Sequence, residues 1–142
     1  MKTKIYSIGG KQFEFRQSLA QDECLGPVLH DMFTEIPDVV SSSPKHLEAI
    51  SNTEQSAEVR KENSFEFSLN MLKINAWLYS KKYVTLVMAT CLVEKGKEFN
   101  EDAIPELKNF FGIHTPRETA TEVINNFFMK SAVFGIGIPQ SL

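Results

Sequence analysis

"SFEFSLNMLKINAWLYSKKYVTLVMATCLVEKG", residues 64–96, is the densest apolar stretch of the chain, and it is longer than any ordinary strand. Its periodicity predicts two helices or one broken helix. In the first part Leu69, Leu72, Ala76 and Trp77 line one side. In the second, Val84, Val87, Met88, Cys91 and Leu92 do so, with a stop near Gly96 after Lys95. The β-branched content of residues 83–93 leaves a buried strand as the alternative for that part.

Downstream, "DAIPELKNFFG" reads as a short helix with Asp102 as N-cap, Pro105 in its first turn and Gly112 at its end. "TPRE" starts the next helix. Thr115 stands at N-cap, Pro116 at N1 and Glu118 at N3, and Ala120, Val123, Ile124, Phe127 and Phe128 supply the apolar side. The end of the chain, residues 132–142, is an apolar but glycine-broken tail.

Upstream, residues 38–63 fall in apolar density and carry "SSSP", which predicts a mobile linker or a weak helix from about Pro44. Before it, Leu25, Val28, Leu29, Met32, Phe33 and Ile36 recur at helical spacing within a region 18–37. Ser18 and Gln21 form its capping box, Gly26-Pro27 a kink or restart, and Pro37 its end. At the front, "YSIGGKQFEF" (6–15) lacks the earlier glycine and the Ser or Thr of a phosphate-cradling loop. It reads instead as a hairpin over 4–16, turning at Gly9-Gly10 and placing Tyr6 opposite Phe13, with Tyr6, Ile8, Phe13 and Phe15 on one face. The expected fold is mainly α with an α+β character: one domain over 1–142, a short N-terminal β-hairpin, then a bundle of about five helices with its core at 64–131.

Composition narrows the function classes. With 15 basic and 18 acidic side chains the formal charge is -3, no footprint for a nucleic-acid backbone. No stretch is apolar over the length a membrane span or a signal peptide needs, so a cytoplasmic protein is expected. Cys24 and Cys91 stand apart with no metal-ligand spacing, and read as small core residues. His30, His46 and His114 have no ligand or nucleophile partner at helical spacing. The carboxylates Glu98, Glu101, Asp102 and Glu106 suit first-turn helix positions. No catalytic, cofactor-binding or metal-binding residue is therefore assigned, and no cofactor is expected.

The remaining signal is apolar surface. Phe110-Phe111 and Phe127-Phe128 are adjacent pairs, and neighbours on a helix diverge by about 100°, so one narrow core cannot take both rings. Phe110, Phe111, Phe127, Phe128, Met129, Phe134 and Ile136 are the candidate partner-binding residues; the alternative is that helices packed on two sides bury the pairs.

The order of elements, with its "YSIGGKQFEFR" hairpin, the helix start at "SLAQDE", a central apolar helical block and the late "ETATEVINNFF" helix, resembles the tail assembly chaperones of long-tailed bacteriophages. The resemblance runs over most of the chain in layout and is carried specifically by "IGGKQFEFR" and the double-Phe helix. The Ser-rich excursion after Pro37 departs from the compact members. The resemblance implies a non-enzymatic, mostly helical protein of the host-cell cytoplasm that binds the tape measure protein until tail-tube subunits polymerise around it. Two other readings stand beside it: a structural subunit of a phage tail or related injection particle, and a small enzyme, whose sign would be a polar pocket joining His30 or His114 to carboxylates. A homo-oligomer, no nucleic acid and no membrane complete the expected partners.

Overall fold

The computed structural model describes residues 4–16 and 25–130. Within them the protein is mainly helical, with a small antiparallel sheet formed largely by the N-terminal hairpin. Strands β1 (Tyr6–Ile8) and β2 (Lys11–Phe15) pair in the expected register, Tyr6 opposite Phe13. Gly9 and Gly10 turn between them with φ of 58° and 81°, the left-handed values that glycine adopts without Cβ strain. Tyr6, Ile8, Phe13 and Phe15 are all buried.

Helices α1 (Gly26–Glu35) and α2 (Pro37–Ser51) follow, each with a proline in its first turn, where the missing N–H costs no helical bond. Then come α3 (Ala57–Ser80), α4 (Val84–Cys91) and strand β3 (Leu92–Glu94), which joins β2 with Phe15 opposite Leu92. A 3-10 turn at Glu101–Ala103 leads into α5 (Ile104–His114), and α6 (Arg117–Lys130) closes the described fold. The sheet packs its buried face on the helices: Phe13 meets the Phe111 ring at 4.9 Å, and Asn126 of α6 donates to the Tyr6 hydroxyl at 2.7 Å. Helix α4 is buried nearly all round, as expected of a central helix. Its C-terminal carbonyls are met by Arg16, which donates to Thr90 O at 3.0 Å while its guanidinium lies 3.5 Å over the Phe99 ring.

Several expectations are corrected. Of the two readings of residues 38–63 the linker fails and the helix holds, beginning at Pro37 instead of about Pro44: all but 52–56 belong to α2 and α3. The "SSS" run works inside a helix, because Ser43 is buried, donates to Val39 O at 2.6 Å, and accepts from Asn70 of α3 at 3.1 Å. The Leu69, Leu72, Ala76 stripe is not the core face of α3. Phe67, Met71, Ile74 and Leu78 are, while Leu72 and Ala76 lie exposed. Phe33 is exposed as well, unlike Val28 and Met32 on the same helix.

The strand alternative for 83–93 fails over most of its length, α4 being helical, but its last residues do join the sheet as β3. Asn100, not Asp102, caps the 3-10 turn, and α5 runs past Gly112 to His114. The Thr115 hydroxyl is buried without a partner rather than capping α6. The Ser18 helix start, Cys24 and the tail 132–142 lie outside the described residues.

Two tyrosines make a pH prediction. Tyr6 is pushed up by burial, and Tyr83 by the hydrogen bond its hydroxyl donates to Asp31 Oδ2 at 2.6 Å. In both the fold favours the neutral phenol. Their contribution to stability is therefore present below about pH 10, the ordinary tyrosine value, and is lost as pH rises through the higher folded values. Phenolate absorbance during alkaline titration should show both ionising above free tyrosine, with Tyr83→Phe removing one of the late steps. Ionisation of both at or below the ordinary value contradicts the two placements.

Candidate functional site

Along α3, residues 67, 71, 74 and 78 advance by about one turn at a time and form a stripe that packs inward. On one flank of that stripe the helix meets the end of α2 and the side of α6 without closing against them. The result is an open groove of about 470 Å³. Leu47 and Ile50 of α2, Phe67 and Met71 of α3 form its apolar lining, with Leu72 and Met129 as exposed lips at 64% and 50% accessibility. Ser64, Ser68, Asn75, Thr121 and Asn125 complete the lining, and no charged side chain takes part. Asn75 donates to Met71 O at 2.8 Å and to Asn125 Oδ1 at 2.9 Å, so its side chain ties α3 to α6 at the groove wall. Its own Oδ1 is buried without a partner. From Ser64 to Asn75 the groove spans about 16 Å, or three helical turns.

A second cavity, of about 500 Å³, lies between the sheet and α5. Its apolar part includes Phe13, Leu92, Phe99, Leu107 and Phe110; its rim carries Lys11, Lys97, Glu94, Glu98, Glu106 and His114. Among these charges Glu94 takes Lys97 at 3.4 Å and Lys11 at 3.9 Å. The His114 ring rests on Phe110 at 4.6 Å, and among the described residues no hydrogen bond joins it to a carboxylate. His30 is exposed on α1, and His46 Nδ1 pairs with Asn63 Oδ1 at 2.8 Å. Cys91 is fully buried, and burial pushes its thiol far up, so it is an inert core residue. No cluster of metal-ligating side chains occurs among the described residues, nor any helix long and apolar enough to cross a membrane.

The residues singled out from sequence separate. Phe111, Phe127 and Phe128 are core, which corrects their candidacy as surface groups: for these three the alternative holds, in which structure on two sides buries the rings. Phe110 is half-buried, enclosing Gly9 and taking the Lys11 ammonium 5.0 Å from its ring centre. Met129 is the one that reaches the groove. Phe134 and Ile136 lie outside the described residues. Leu47, Ile50, Phe67 and Met71 were missed, the first two because their segment reads as a linker or a weak helix with no apolar stripe assigned. The findable signal was on α3, where a second apolar stripe stands opposite the first.

Compared with protein-family models, curated proteins and solved structures, the chain matches none.

Proposed function

We propose that this protein is a non-enzymatic phage tail assembly chaperone that holds an amphipathic helix of the tape measure protein in the groove between α2, α3 and α6. The observation that carries the reading is the groove itself: uncharged, apolar-floored, three turns long and open at exposed lips. Such a groove accepts the apolar face of a helix, with anchors at i, i+3 or i+4 and i+7. Methionines at the floor and lip, Met71 and Met129, suit a client of varied sequence because their side chains repack. The resemblance in "IGGKQFEFR" and "ETATEVINNFF" supports the tape measure protein as that client. Covering its apolar face would keep it soluble in the host cytoplasm until tail-tube subunits displace the chaperone.

Co-expression with the tape measure protein, followed by pull-down and a solubility comparison, tests the proposal. Wild-type protein should co-purify with the client and keep it soluble. Met129→Asp, which places a charge on a lip that is 50% exposed, should weaken binding by roughly tenfold or more with an unchanged circular dichroism spectrum.

A structural subunit is the second reading, favoured by the sheet order β1-β2-β3, which leaves β1 and β3 as edges to which a neighbour's strand could add. Retention in purified particles, with no client captured, would support it against the chaperone.

A further inference from the structure

Helix α3 carries apolar residues on two opposed faces. Phe67, Met71, Ile74 and Leu78 face the core; Phe65, Leu69, Leu72 and Ala76 stand about 180° away at spacings of four, three and four. Phe65 is 61% exposed and Leu72 64%. Spacing of this kind is the seam of a two-helix coiled coil, and a ring as large as Phe65 left open at the centre of a surface helix is a docking signal. Only Leu72 of this seam also borders the client groove.

We propose that the outer face of α3 packs against the same face of a second copy of this chain, with the two helices antiparallel. The charges beside the seam select that occupant and that direction. Glu66 and Lys73 flank it on the same side, one heptad apart, and both are exposed. In an antiparallel pair this flank faces its own counterpart. A two-fold axis near Leu69 and Asn70 then sets Glu66 of each copy opposite Lys73 of the other, two reciprocal ion pairs from one pair of residues. The same axis interleaves Phe65, Leu69, Leu72 and Ala76 with their counterparts instead of stacking like on like. A parallel pair would set Glu62 against Glu62 in the line of the seam and align the two helix dipoles head to head. The apolar seam is about 16 Å long, a small interface, so the dimer forms reversibly with concentration.

Sedimentation equilibrium of the full chain tests this. The expected result is a concentration-dependent rise from 16.1 kDa to twice that mass. Phe65→Glu should remain monomeric at the same concentrations, with unchanged helicity because its side chain is exposed. Glu66→Lys and Lys73→Glu should each weaken the dimer by roughly tenfold, since each turns two attractive contacts repulsive. The double variant should recover wild-type association. A wild-type chain that stays monomeric throughout overturns the proposal, as does a Phe65→Glu protein that dimerises normally. A double variant no stronger than either single one overturns the antiparallel pairing. Loss of client by Phe65→Glu in a monomeric wild-type background assigns this face to the client instead and equally overturns the dimer.

Discussion

Replacing Phe127 or Phe128 by Ala should lower the unfolding free energy by about 3–5 kcal/mol each, read as a shift of the denaturant midpoint at unchanged slope. The rings are 2% and 1% exposed and meet edge to face at 5.1 Å. Their backbones diverge by about 100°, so burying both needs structure on two sides of α6. The fold supplies it: α6 packs on α4 and α3, and it is also tied to β1, through Asn126 on the Tyr6 hydroxyl and Glu122 on the Lys4 ammonium. Total stability for a domain of this size is about 5–15 kcal/mol, so either loss is a large fraction of it. Phe127→Asp should abolish cooperative unfolding outright, because a carboxylate in that site has no partner. A loss below about 1 kcal/mol for the Ala variants is the surface-residue range and would place the rings where a partner, not the core, covers them.

Gly9→Ala is the second large effect, and Gly10→Ala is its internal control. Both glycines have positive φ, so either alanine pays the left-handed strain of about 1–2 kcal/mol. They differ in what the added methyl meets. At Gly9 it would stand 2.6 Å from Phe110 Cζ and 2.9 Å from His114 Cγ, whereas at Gly10 nothing lies within 4 Å. Moving the Phe110 ring disturbs its packing on Phe13, whose centroid is 5.8 Å away. Gly9→Ala should therefore cost about 2–4 kcal/mol in all, strain plus overpacking, and clearly more than Gly10→Ala in the same denaturation experiment. Equal costs would mean that α5 does not close over the hairpin turn.

What could be read from the sequence follows from how local each signal is. The Gly9-Gly10 turn fixes the hairpin register by itself, and the Ala120, Val123, Ile124, Phe127, Phe128 stripe of α6 needs no knowledge of its neighbours. The break after α3 was partly legible. It is closed by Tyr83 N–H donating to Leu78 O at 2.8 Å with Lys82 at φ 61°, a C-terminal motif that usually announces itself with glycine. Helix α2 is legible only as a weak helix from about Pro44, beside the linker reading, because its evidence is non-local: Ser43 and Pro44 suggest a loop until Asn70 supplies a buried partner for the hydroxyl. The inward face of α3 was misassigned because both faces are apolar, and periodicity cannot say which one the rest of the chain will cover. That ambiguity also hides the groove, since its floor is shared between α2 and the inward face of α3.

The methionine methyl groups give the most direct test of the groove. Met71 and Met129 line it, while Met32 and Met88 are buried elsewhere in the core. Methyl NMR of the protein titrated with a helical tape measure peptide should shift the Met71 and Met129 signals together and saturably, leaving Met32 and Met88 in place. Peptide binding that leaves Met71 and Met129 unmoved, or no binding at all, would contradict the groove as the client site.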